Sequence, residues 1–157
     1  MKKIVALLLA AMLVLSGCGG AEQESKAPAN VDMQALYTQL EGLGLPKMVD
    51  VDANMMLMLY GIEETDVKQA KVAISDDGLR ADEVWLLEAV SSEAAQKLEG
   101  LVKNRIQQKD DESITYSPEQ NAVVKKSYTK VSGNYVFFIC SPEVEAMKGA
   151  VESALGN

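Results

Sequence analysis

The sequence predicts an α+β protein: an antiparallel sheet of about four strands built as two strand-strand-helix units, with the long helices on one face and two N-terminal helices packing elsewhere on the sheet. Three observations point there. "VKQAKVAIS" and "RADEVWLLEAV" are strand-like runs on either side of an Asp-Gly turn. "YTKV" and "YVFFIC" flank a Ser-Gly-Asn turn in the same way. Behind each pair comes a stretch whose apolar residues recur at helical spacing, so the order strand, strand, helix appears twice, over 68–108 and 127–155. Residue identities between the two units match too poorly for a duplicated sequence.

Each element has a local cause. Met33, Leu36, Tyr37, Leu40 and Leu43 repeat at helical spacing behind Asp32, a suitable N-cap, and Gly42, Gly44 and Pro46 stop the run. A second, short helix is expected in "DANMMLMLYG", capped by Asp52 and ended by Gly61 as a left-handed residue. Its unbroken apolar run, Met55 to Tyr60, predicts burial on most sides. In the first hairpin Ala70, Val72 and Ile74 alternate with polar neighbours, whereas Val84 to Leu87 are apolar on both alternating faces, so the middle of that strand should be covered twice. Ser91 or Ser92 opens a third helix with Ala95, Leu98, Leu101, Val102 and Ile106 as its stripe, and the helix is expected to run out in "QQKDDES". "SPEQ" is a compact helix start: Ser117 as N-cap, Pro118 in the first turn, Gln120 reaching back three residues later. Ser141-Pro142-Glu143 opens the last helix, with Val144, Met147, Val151 and Leu155 on one face. Trp85 and Leu87, or Val136 and Phe138, then need cover. The two N-terminal helices are the expected cover, and a partner surface is the alternative.

The first residues form three zones: Lys2 and Lys3, an apolar run of about a dozen residues from Ile4 to Leu15, and the small residues Ser16 to Gly19. Crossing a bilayer takes roughly 20 apolar residues, so the run reads as a secretory signal peptide rather than a span. Leu15-Ser16-Gly17-Cys18 resembles the lipobox of bacterial lipoproteins, whose cysteine is acylated and becomes the mature N-terminus. On that resemblance residues 1–17 are signal peptide, Cys18 is the lipid attachment site carrying acyl chains such as palmitate, and two or more chains hold firmly at about 0.8 kcal/mol per buried CH₂. "GGAEQESKAPAN" lacks large apolar residues, which makes 18–30 a lipidated flexible stalk with a reach of roughly 20 Å. Residues 31–157 are then a single globular domain. Loss of Lys2 and Lys3 takes the formal charge from −8 to −10. With its basic residues scattered, such a chain is unsuited to nucleic acid, and its contact with the membrane is the acyl anchor.

Composition excludes several chemistries. There is no histidine, so Ser-His-Asp and Cys-His constellations and histidine-ligated metals are ruled out. Neither a Gly-rich phosphate loop of standard spacing nor a Gly-x-Ser-x-Gly elbow occurs. Asp50, Asp52 and Asn54 have the first three ligand offsets of a calcium loop, but Met55 stands where glycine is needed and Gly61 where glutamate is needed. The methionines are expected as core filler, not copper ligands, and Cys140, ending an apolar run, as a buried thiol. No metal and no cofactor is expected. Glu63, Glu64, Asp66, Asp82 and Glu83 are candidate carboxylates for glycoside hydrolysis, of which Asp82 and Glu83 stand out because they lead into an apolar strand and have Arg80 or a nearby lysine to anchor one of them.

Leu36-Tyr37, Tyr60-Gly61-Ile62, Ala81-Asp82-Glu83-Val84, Tyr116 with Ser117-Pro118-Glu119, and Gly133-Asn134-Tyr135-Val136 together resemble an uncharacterised family of small Gram-positive lipoproteins, domain of unknown function 4358, over roughly 34–150. The resemblance implies an extracytoplasmic protein on the outer face of the cell membrane and carries no established activity. Candidate binding residues are Tyr60, Asp82, Glu83, Trp85, Tyr116 and Tyr135, with Tyr60 and Tyr135 most simply part of the core. The expected function is a membrane-anchored, non-enzymatic binding or accessory module of the cell envelope whose partner is an envelope protein or wall component. The alternative is a small carboxylate-dependent cell-wall hydrolase. A two-lobed solute receptor needs a longer chain.

Overall fold

The computed structural model describes residues 30–156; the leader, Cys18 and all but the last residue of the expected stalk lie outside the described residues. The chain runs α1 (Met33–Gly42), β1 (Met48–Asp50), α2 (Ala53–Tyr60), a 3-10 turn (Glu64–Asp66), β2 (Val67–Ser75), β3 (Glu83–Ala89), α3 (Ser92–Tyr116), α4 (Pro118–Lys125), β4 (Tyr128–Ser132), β5 (Tyr135–Cys140) and α5 (Val144–Ala154). The class is α+β, and the sheet has five antiparallel strands in the order β1-β2-β3-β5-β4. The strand beyond the four expected is β1, whose three residues are too short to show an alternation.

Strand composition explains strand position. β3 and β5 are the neighbours at the centre, paired from Glu83↔Cys140 to Glu88↔Tyr135, and their continuous apolar runs are buried on both faces. β4 is an edge strand and alternates between half-buried and exposed residues. Its hairpin to β5 closes with Ser132 opposite Tyr135, and Gly133 in between takes a positive φ of 56°.

The helices divide between the two faces, which corrects the expectation that the long helices share one. α3, with α2 and α4, covers Val72, Trp85, Leu87, Val136, Phe138 and Cys140. α1 and α5 cover Ala73, Val84, Leu86, Phe137 and Ile139. The N-terminal helices α1 and α2 are therefore also split, and neither sheet face is left for a partner. Superposing β2-β3-α3 on β4-β5-α5 reverses strand direction, lateral order and face together. That operation is an inversion, not a rotation, so the two units have opposite hand and are not copies of one folded module.

Three local expectations also change. α3 does not end in "QQKDDES" but continues to Tyr116. Gln, Lys and Glu are good helix formers, and no breaker appears until Pro118. Ser117 caps α4 through Gln120 N (3.3 Å), but the Gln120 side chain accepts from Ala81 N at 2.8 Å instead of reaching back. α2 is capped as expected, with Asp52 Oδ1 accepting from Met55 N and Gly61 at φ 73°, yet only Met56 is buried. A single helical face can be covered by one neighbouring layer, and an apolar run does not say that the others are.

Candidate functional site

A buried ionic cluster joins the sheet to α3. Glu83 and Trp85 lie two apart on β3 and so share a face, while Arg105 and Lys109 lie four apart on α3 and share a helix side. The Glu83 carboxylate is 0% exposed and accepts from Trp85 Nε1 at 2.7 Å, from Lys109 Nζ at 2.8 Å, and from Arg105 through Nε at 3.0 and 3.1 Å and Nη2 at 2.8 Å. Burial by itself raises a carboxylate pKa. Here the hydrogen bonds and charges of Arg105 and Lys109 override it and hold Glu83 below its ordinary value. The Tyr60 ring packs on Trp85 at 4.7 Å, and the Arg105 guanidinium lies 5.1 Å from its centroid. Burial, then the charge of Glu83, pushes the Tyr60 phenol well above 10, so it stays protonated.

Asp82 is also buried but belongs to a separate pair. Its Oδ2 accepts from Arg80 Nε at 2.9 Å, and its Oδ1 is buried with no hydrogen-bond partner among the described residues. Successive residues of an extended chain project to opposite sides, and the two carboxylates take different cations. They are not an acid-base dyad.

Beside this cluster lies an open groove of about 570 Å³ between the 78–81 turn and the α3–α4 elbow. Leu79 and Tyr116 stand out from its walls at 85% and 88% exposure, and Arg80, Lys109, Glu112, Ser113, Gln120 and Val124 line it. Local bonds fix both walls. Asp77 Oδ1 accepts from Leu79 N at 3.0 Å and Ser75 Oγ from Asp77 N at 3.1 Å, which shapes the turn. Asn121 Nδ2 donates to Asp110 Oδ1 at 2.6 Å and to Ser113 Oγ at 3.1 Å, which locks the elbow, and the Ala81–Gln120 bond ties turn to elbow. Lys109 joins the groove to the buried cluster. A second, smaller groove of about 260 Å³ between α3 and β4 holds none of the candidate binding or carboxylate residues.

Tyr60, Glu83 and Trp85 are thus one cluster, Asp82 lies beside it, and Tyr116 stands on the groove rim. Tyr135 is elsewhere: it stacks on Phe137 on the opposite face, and its hydroxyl accepts from Val31 N at 3.2 Å, fastening the start of the domain. The carboxylates Glu63 and Asp66 share Lys97, each at 2.7 Å. Asp50 pairs with Lys71 at 2.6 Å, and among the described residues no cluster of three acidic, cysteine or histidine side chains could hold a metal. Cys140 is buried and its thiol is pushed up to about 12, chiefly by burial, so it is not a nucleophile at neutral pH. Sequence reasoning missed Arg105, Lys109, Leu79 and Gln120. One signal was available: 98, 102, 105 and 109 continue a single helical stripe, and two cations inside an apolar stripe call for a buried anion.

Sheet, helical layers and groove define a small α+β module with a preorganised surface groove and a structural ionic core. The chain belongs to the domain of unknown function family DUF4358, whose model matches residues 42–141. That range contains the whole cluster and groove and leaves out nearly all of α1 and all of α5, the cover of the second face. Comparison with curated proteins and with solved structures returned no match. No helix among the described residues is long and apolar enough to cross a membrane.

Proposed function

We propose that this chain is a lipid-anchored lipoprotein on the outer face of the cell membrane, acting as a non-enzymatic binding or accessory module of the envelope. The observation that carries the non-enzymatic reading is the state of Glu83. A glycosidase needs one carboxyl that keeps its proton near working pH and a second across an open cleft. Glu83 is fully buried, saturated with donors and held ionised, so it has no proton to give and no path to a substrate. What faces solvent instead is a groove with an exposed tyrosine and leucine on fixed walls, the combination of amphipathic anchor and rigid frame that suits recognition of a protein segment or wall component. The basic start, the apolar run and Leu15-Ser16-Gly17-Cys18 support the anchor, and a formal charge of −10 after processing leaves attachment to lipid rather than to charge.

Intact cells grown with a labelled fatty acid test the anchor, with a photoreactive residue at position 116 in the same chain to test the groove. Wild type should take up label and form adducts with envelope material. Cys18→Ala should lose the label entirely. Equal labelling of both chains, or no adduct from position 116, contradicts the corresponding half of the proposal.

A further inference from the structure

α2 presents an apolar surface that the fold does not use. Of its large apolar side chains only Met56 is buried; Met58 is 82% exposed, Leu57 and Leu59 about half, and Met55 more than a third. Four neighbouring large apolar groups facing water cost solvation free energy in the free protein and mark an interaction surface. Methionine, being flexible and polarizable, suits one that moulds to a partner.

The charge at the two ends of α2 says which partner. Asp50 and Asp52 precede the helix and Glu63, Glu64 and Asp66 follow it, against Lys71 and Lys97, which pair with Asp50 and with Glu63 and Asp66. Five carboxylates against two lysines leave three negative charges around the patch. Among the described residues no cation pairs with Asp52 or Glu64. Helices that lie in a bilayer surface carry Lys or Arg on the polar face, and α2 contains neither. An anionic bilayer is therefore disfavoured although the proposed tether keeps one near. A second copy is disfavoured too, because two such faces would bring like charges together.

We infer that α2 docks a segment of an envelope protein that offers an apolar ridge bracketed by basic residues. α2 is eight residues long, roughly 12 Å at 1.5 Å per residue, and with the carboxylates beyond its two ends the partner's apolar ridge must match that length. The apolar ridge supplies the contact, and the bracketing charges supply register and encounter rate. This rests on reading the chain as a binding module but not on the groove.

The test is photocrosslinking in intact cells from position 58 of the full lipid-anchored chain, with the adducted segment sequenced. An apolar segment flanked on both sides by Lys or Arg is expected, and Glu63→Lys with Glu64→Lys should lower the yield at least fivefold. Both substituted positions are exposed, and Lys97 keeps Asp66 when it loses Glu63; a thermal melt checks that the fold is retained. Adducts with phospholipid, with a second copy, or with a segment lacking basic residues overturn the inference, as does an absence of adducts or a yield unchanged by the charge reversal. The crosslinker at position 116 separates the failures. Adducts from 116 without the expected ones from 58 end the α2 inference and leave the binding-module reading standing; none from either position ends both.

Discussion

Glu83→Ala is expected to destabilise the fold by about 3 kcal/mol, because it leaves Arg105 and Lys109 facing each other across an emptied low-dielectric pocket. The lower end of the usual cost for breaking a buried pair applies, since the two cations keep 16% and 10% side-chain exposure and can partly turn to water. Urea unfolding of the variant measures it. Replacing Glu83, Arg105 and Lys109 together by apolar residues of similar volume should restore most of the loss, since what is costly is the unpaired charge rather than the missing bridge. The same cluster gives an acid dependence. Glu83 has a lower pKa folded than unfolded, so its contribution is complete above the unfolded value of 4.5 and is lost as pH falls from there through the folded value. Glu83→Gln should flatten that part of the stability curve.

Trp85→Ala should cost about 4 kcal/mol, the upper range for a large-to-small change in a packed core. Trp85 is fully buried between Tyr60 and Phe138, the latter edge-on at 5.7 Å, and its indole N–H satisfies Glu83. Removing it opens a cavity, forfeits two aromatic contacts and leaves one carboxylate oxygen with one donor fewer. Trp85→Phe keeps most of the volume but loses the N–H and part of the ring, so it should cost about 2 kcal/mol, less than the alanine change. If both variants lose equally on urea unfolding, the hydrogen bond to Glu83, not the packing, dominates at this position.

What the sequence made legible was whatever a few adjacent residues decide. Asp32, Asp52 and Ser117 cap helices because each has a backbone N–H three residues on, and Gly61 ends α2 because its left-handed conformation costs it little. The period-two and apolar runs of β2, β3 and β5, and the four-residue stripe of α5, were plain for the same reason. Which face each helix takes was not legible. α3 and α5 follow the same pattern of two strands, and only the packing of the whole sheet sends them to opposite sides. The site divides likewise: Asp82 and Glu83 announced themselves as carboxylates leading into an apolar strand, but the cations that hold Glu83 lie 22 and 26 residues away, and nothing near it in the chain names them. Met55 to Tyr60 misled because an apolar run records a preference for leaving water without recording whether a partner inside the fold satisfies it.

In the folded protein Glu83 is a fixed structural anion. A carbon-13 NMR titration of its side-chain carboxyl in the folded protein reads that directly. Its midpoint should lie below the ordinary value of 4.5, because Arg105 and Lys109 favour the charged form. A midpoint above 4.5 would mean a carboxyl that keeps its proton in the native state, and with it the acid that the non-enzymatic reading denies.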